Sequence, residues 1–248
     1  MSADTGVMES IRYYARELKL PTFAQLEESI RQFKPEESLE EFILELMKRE
    51  YHSRQENHLK KLIRQAHFPM LKTLDEFRLE ERQHVKPAFI QQLATGEFIK
   101  RCENIVMVGN PGTGKTHLTI ALGLKACASG YRVVFRTATS LAAELREARN
   151  EYQLRKLINH LGKTDLLLLD ELSYASFDKE ESELLFKVIA ERSERASTII
   201  TTNLEFSQWP DLFENKALVA ALVDRLTYRS HVLNMNGKSH RLRAAKHA

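Results

Sequence analysis

Apolar and polar positions along the chain follow two rhythms, and the change comes near residue 100. Up to about residue 70 the apolar residues recur at helical spacing: Leu39, Phe42, Ile43, Leu46 and Met47, then Leu59, Leu62 and Ile63. Gly6 is the only glycine before Gly96, and Pro21 and Pro35 punctuate the region. Glu36-Glu37-Ser38 ahead of an apolar run suits a helix N-terminus. These features predict a small all-helical domain over 1–70. Residues 71–100, following Phe68-Pro69, read as a linker. From 101 to 248 short apolar runs alternate with longer helical-period segments. Ile105–Val108, Val133–Phe135, Leu166–Leu169, Thr198–Thr201 and His231–Leu233 read as strands, and 115–128, 140–161, 180–195 and 215–226 as helices. Near-continuous apolar strands separated by helices predict an α/β core, a parallel sheet covered on both faces.

Composition narrows this picture only slightly. A length of 248 residues holds one full domain and one small one. With 29% charged and 43% hydrophobic residues the chain has a globular composition, and a net charge of +3 is compatible with nucleic acid without requiring it. No run approaches the ~18 apolar residues that span a bilayer, so no membrane association is expected. Met1–Arg12 lacks the basic-then-apolar pattern of a secretory signal. Cys102 and Cys127 have no metal-binding spacing. A cytoplasmic protein is the simplest expectation. Lys48, Arg49, Arg54, Lys60, Lys61 and Arg64 make the end of the helical region basic. They form either a solvated face or a surface for phosphate or a partner.

The strongest chemical signal is Gly109-Asn110-Pro111-Gly112-Thr113-Gly114-Lys115-Thr116, which fits GxxxxGK[ST] at every fixed position. It follows a predicted strand and opens a predicted helix. The glycines let backbone N–H groups converge on phosphates, and the helix N-terminus adds partial positive charge. Lys115 is then expected to reach the β- and γ-phosphates of ATP, and the Thr116 hydroxyl to coordinate Mg²⁺. His117, next in the chain, is counted with the nucleotide-binding residues. One strand–helix unit later, an apolar strand ends in Asp170-Glu171. Asp170 suits a second Mg²⁺ contact, and Glu171 suits a general base for the attacking water.

Thr201-Thr202-Asn203 closes the next strand. Parallel strands gather their C-terminal ends at one edge, so Asn203 either positions the hydrolytic water or merely turns the chain. Asp224-Arg225-Leu226-Thr227-Tyr228-Arg229 ends the last predicted helix. An arginine there either caps the helix dipole or completes a neighbour's site in trans.

The runs GNPGTGKTHL (109–118), LLLLDELS (166–173), TTNLEFSQW (201–209) and AALVDRLTYRS (220–230) together resemble the IstB family. RQAHFPMLKTLDEF (64–77) is similar to that family's segment before its core. These are the ATP-binding helper proteins of insertion sequences, similar to the helicase loader DnaC among AAA+ ATPases. The resemblance implies a three-layer αβα AAA+ core behind a helical N-terminal domain. It implies Mg-dependent ATP hydrolysis, with Lys115, Glu171, Asn203, Arg225 and Arg229 as catalytic candidates. Arg225 is the first choice for the trans-acting group and Arg229 the second. It also implies an ATP-dependent homo-oligomer that binds duplex DNA and recruits or stimulates a transposase. The alternative is a DnaC-like helicase loader acting on single-stranded DNA. With the sequence running to 248, no C-terminal helical lid of the kind many AAA+ proteins carry is expected. Gly237 to Arg243 matches the family's last motif loosely, with Arg241 and Arg243 in undefined roles. Arg146, Arg149, Arg155 and Lys156 offer either DNA contacts or ordinary surface pairing with nearby glutamates.

Overall fold

Five apolar runs carry the β-branched and leucine side chains that suit strands buried on both faces, and all five form strands. A computed structural model describes residues 2–33, 38–77, 86–174 and 176–237. The strands are β1 (Asn104–Val108), β2 (Val133–Thr137), β3 (Leu166–Asp170), β4 (Ser197–Thr202) and β5 (Ser230–Asn234). They pair in the order β2-β3-β4-β1-β5, and every pairing is parallel. β3 and β4 are buried along their whole length.

The chain divides into two compact units, Met1–Lys61 and Leu62–Ala248. The first holds α1 (Ser2–Glu17), α2 (Pro21–Ala24), α3 (Leu26–Gln32) and most of α4 (Leu39–Ala66). Proline opens α2 at a position where its missing N–H costs nothing. Inside this unit the Glu50 carboxylate is buried and accepts from the Thr22 backbone N–H at 3.1 Å and from Arg54 Nε at 2.8 Å. Burial alone would raise its pKa; these donors hold it below the usual glutamate value. The helical spacing of α4 is observed, yet of its N-terminal apolar stripe only Leu46 is buried, while Leu39, Ile43 and Met47 are exposed. Several of the basic side chains pair along the helix, Arg49 with Glu45, Arg54 with Glu50 and Lys60 with Glu56.

In the second unit, residues 71–100 carry α5 (Pro87–Ala94) and α6 (Glu97–Lys100). The remaining helices are α7 (Lys115–Ala128), α8 (Ala138–Asn150), α9 (Leu154–Gly162), α10 (Lys179–Arg192) and α11 (Lys216–Thr227). Alternation along the strands assigns the faces. Val106, Val134, Leu167, Leu169 and Ile200 join the core formed with α8, α9, α10 and α11. α7 packs on the opposite face, against β2, β3 and β4, with α5 beside it. The result is the three-layer αβα core. One expected element differs. The segment 140–161 is two helices, because Tyr152 adopts a left-handed backbone (φ 59°) and reverses the chain.

Arg192, at the end of α10, is 1% exposed. Its guanidinium donates to the carbonyls of Leu161, Thr164 (2.9 Å) and Ser197 (2.5 Å) and to Thr198 Oγ1 (3.3 Å). Burial pulls its pKa down to about 10. This one side chain therefore joins the end of α9, the approach to β3 and the start of β4. Arg192→Met keeps the stem but removes the charged donor from three buried carbonyls. Leu161 O keeps the Thr164 N–H at 3.2 Å and Ser197 O lies in the β3–β4 ladder, so Thr164 O loses most, and an unmet buried carbonyl costs about 1–3 kcal/mol. Urea or thermal unfolding is expected to show a loss of about 2–4 kcal/mol, with Tm lower by roughly 5–10 °C. A loss under about 1 kcal/mol would contradict this account of the tie.

Candidate functional site

The parallel registers bring the predicted chemistry to one edge of the sheet. Val108 lies opposite Thr202, Leu169 opposite Ile200, and Thr137 opposite Asp170. The chain leaves β1 into Gly109, whose N–H donates to Thr202 O at 3.2 Å. A Cβ at Gly109 would sit 2.6 Å from the Met235 carbonyl carbon and 2.9 Å from Asn236 N. Only glycine lets the loop pass so close to the chain leaving β5. The Asn110 N–H then donates to Asn236 Oδ1 at 3.1 Å, which fastens the loop to the same segment. Gly114 takes the left-handed conformation (φ 89°) and is the N-cap of α7, so the loop's curl delivers Lys115 and Thr116 at the helix start.

Lys115 is buried, 7% exposed. Its Nζ donates to Gly109 O at 2.6 Å, Asn110 O at 2.9 Å and Asn203 Oδ1 at 2.7 Å. Asn203 is thus at the phosphate loop and does more than turn the chain. Its own N–H is fixed by Ser173 Oγ at 2.8 Å. Thr116 Oγ1 lies 2.9 Å from Asp170 Oδ2 and 3.1 Å from Oδ1. The Thr201 hydroxyl donates to Asp170 Oδ1 and accepts the Glu171 N–H at 2.9 Å. Asp170 is buried and Glu171 exposed, with Glu171 in a left-handed backbone (φ 60°). Adjacent carboxylates therefore occupy different environments, one inside the sheet edge and one at its surface.

His117 turns out to face the segment before the core. Its Nε2 lies 2.8 Å from Thr73 O, and its ring meets Phe77 edge-on with centroids 5.2 Å apart. Thr201, Ser173, Thr73 and Phe77 are the site residues that sequence reasoning misses. Thr201 carries a signal, a hydroxyl one residue before the strand end beside Asp170, and Ser173, Thr73 and Phe77 lie in the runs 166–173 and 64–77 that carry the family resemblance.

The residues fit Mg-ATP. A curled loop with a helix N-terminus and a buried ammonium suits a polyphosphate. Thr116 and Asp170 present oxygen ligands of the hard kind that Mg²⁺ takes. Among the described residues no group of three or more His, Cys, Asp or Glu forms a metal site. The remaining Mg²⁺ ligands would come from phosphate and water.

Arg225 and Arg229 lie elsewhere. They precede β5, which runs parallel to β1 with Asn104 opposite Ser230 and Val108 opposite Asn234. They therefore flank the far end of the sheet, roughly 13 Å of strand from the loop. The Arg225 guanidinium stacks over the Phe186 ring at 4.9 Å and donates to Ala221 O at 3.2 Å. Arg229 is exposed with φ 49°, its guanidinium 5.5 Å from the Tyr228 ring centroid. Arg146 pairs with Glu181 at 3.1 Å and Arg149 with Glu180 at 3.1 Å, across to α10 instead of along their own helix. Arg155 and Lys156 are exposed on α9. Arg241 and Arg243 lie outside the described residues. No described helix is long and apolar enough to cross a membrane.

Comparison with known proteins agrees with this geometry. The model of the family described as IstB-like ATP binding protein matches residues 14–248. A Pseudomonas aeruginosa protein named as an ATP-binding protein of insertion sequence IS21 is 35% identical over 215 residues, 87% of this chain and 81% of the relative. A Geobacillus stearothermophilus protein named in the same way for IS5376 is 35% identical over 237 residues, 95% and 94% of the two chains. Among solved structures, AMPPCP-bound DnaA from Aquifex aeolicus superposes with a TM-score of 0.57 at 21% identity. That match covers 71% of this chain and 54% of DnaA, and it is a likeness of fold alone.

Proposed function

The chain belongs to the family of IstB-like ATP-binding proteins, and from that premise we propose that it is an ATP-hydrolysing AAA+ regulator of transposition. In this reading it assembles on duplex DNA as an ATP-dependent oligomer, selects and deforms the target, and recruits or stimulates a transposase. Residues 1–70 serve DNA or partner contact, 71–100 link, and 101–248 form the ATPase core.

Lys115 binds the β- and γ-phosphates, releasing its bonds to the Gly109 and Asn110 carbonyls. Thr116 and Asp170 would hold Mg²⁺, which supplies charge neutralisation when bound. Glu171 accepts the proton of the attacking water. Asn203, within reach of Lys115, senses the γ-phosphate. The observation that carries the oligomeric reading is the placement of Arg225 and Arg229 at the sheet end opposite the chain's own loop. From there neither reaches phosphates bound to the same chain. A neighbouring subunit's ATP is the partner open to them, and an arginine supplied in trans stabilises transition-state charge.

The test is assembly and complementation. With ATP and long duplex DNA at low salt, sedimentation is expected to show oligomers that dissolve as salt rises. Single-stranded DNA is expected to compete poorly, and preference for it would favour a helicase loader instead. Arg225→Ala is expected to lower ATPase activity by about 100-fold or more. Mixing it with Lys115→Ala subunits is expected to restore part of that activity, because the two defects can occupy different interfaces. A monomer under all these conditions, or mixing without rescue, would leave the trans assignment untenable.

A further inference from the structure

The turn between α8 and α9 presents one aromatic ring to solvent. α8 ends with Glu151 as its C-cap, and the next residue, Tyr152, takes φ 59°. The turn closes through Tyr152 N–H to Arg149 O at 3.2 Å and Gln153 N–H to Ala148 O at 2.7 Å. This is the left-handed position where helices most often place glycine, or else asparagine. A tyrosine there carries backbone strain, and at 95% exposure it gains no packing to offset it. No other large hydrophobic side chain among the described residues is so exposed.

The surroundings of the ring are helical and carry both signs of charge, with two cations left unpaired among the described residues. Arg149 flanks it from α8, while Arg155 and Lys156 follow in the first turn of α9. Among the described residues no carboxylate pairs with Arg155 or Lys156. Glu147 and Glu151 also lie close in sequence, and Glu180 of α10 holds Arg149 at 3.1 Å. α8, about 20 Å of helix, separates Tyr152 from the edge of the sheet that carries the phosphate loop.

We infer that Tyr152 is a wedge that enters the base stack of duplex DNA and kinks it, with Arg155 and Lys156 seated on the flanking phosphates. The inference rests on the DNA-binding function proposed above and names the residue that deforms the target. A single ring with the two unpaired cations following it fits a duplex better than a single strand, which is gripped by several successive stacking platforms. Residues 138–162 contain no other Phe, Tyr or Trp.

The experiment uses the full chain with an ATP analogue and a short duplex carrying 2-aminopurine and a bend-reporting dye pair. Wild type is expected to raise 2-aminopurine fluorescence and bend the duplex. Tyr152→Asn, which suits the left-handed backbone, is expected to lose most of both signals and about tenfold in duplex affinity. Its ATP affinity and Tm should not fall. Tyr152→Trp is expected to restore the signals. If wild type leaves the duplex unbent, both the wedge and the proposed function fail. If wild type bends it and Tyr152→Asn bends it equally, the wedge alone fails. A Tyr152→Asn protein defective in ATP-driven assembly without DNA would assign the ring to a protein contact and overturn the inference.

Discussion

Lys115→Ala is expected to weaken ATP binding by more than about 100-fold, and ATP-driven assembly should be lost with it. The ammonium is buried in the loop and held by Gly109 O, Asn110 O and Asn203 Oδ1. ATP binding exchanges neutral carbonyl partners for anionic phosphate oxygens, so that bonds between an ion and a dipole become contacts between opposite charges in a partly buried site. A hundredfold loss corresponds to about 2.7 kcal/mol, within reach of one or two such contacts. The substitution also leaves two loop carbonyls without their donor, so the loop loses its preorganised shape as well as its charge. Lys115→Arg is expected to do little better, because a planar guanidinium cannot place five donors where one compact ammonium fits. Titration with a fluorescent ATP analogue measures the affinity, and circular dichroism checks that the fold survives. Affinity within about threefold of wild type would contradict the loop's role.

Much of this loop is legible in the amino-acid sequence, because each part of its mechanism is local. Curling needs glycine, phosphate needs the lysine, and strand–loop–helix context follows from apolar runs on either side. Asp170-Glu171 is legible for a similar reason: a wholly apolar run that ends in two carboxylates must emerge at a strand end. What sequence does not show depends on register. That Asp170 meets Thr201, and that the Thr201 hydroxyl also holds the Glu171 N–H, follows from β3 lying beside β4 with Leu169 opposite Ile200. Asn203 can be placed at the right edge from its strand alone, but its bond to Lys115 requires the order β4-β1. Arg192 shows the opposite limit. Near a helix end it reads as a surface cation, yet it is buried among carbonyls from three different segments. The break inside 140–161 is hidden because helix periodicity continues on both sides of Tyr152, and no glycine or proline marks the turn.

Glu171→Gln is expected to leave ATP affinity within about threefold of wild type while slowing hydrolysis by about 100-fold or more, the usual range for loss of a general base. Glu171 is exposed, and its backbone N–H is fixed by Thr201, so the amide can occupy the same position without disturbing Asp170. Lys115, Thr116 and Asp170 keep every contact they have. The variant should therefore bind ATP, assemble with duplex DNA and stay assembled, since release waits on a step it performs slowly. That separates it from Lys115→Ala, which is expected not to assemble on its own. Phosphate release under single-turnover conditions measures the chemical step, and sedimentation before and after excess ADP measures persistence of the assembly. Wild-type phosphate release in Glu171→Gln would remove Glu171 as the base. A fast chemical step with slow disassembly would instead place the role of Glu171 in the response to hydrolysis. The expected pattern, binding kept and chemistry lost, is what distinguishes an acid–base group from a phosphate ligand at the same sheet edge.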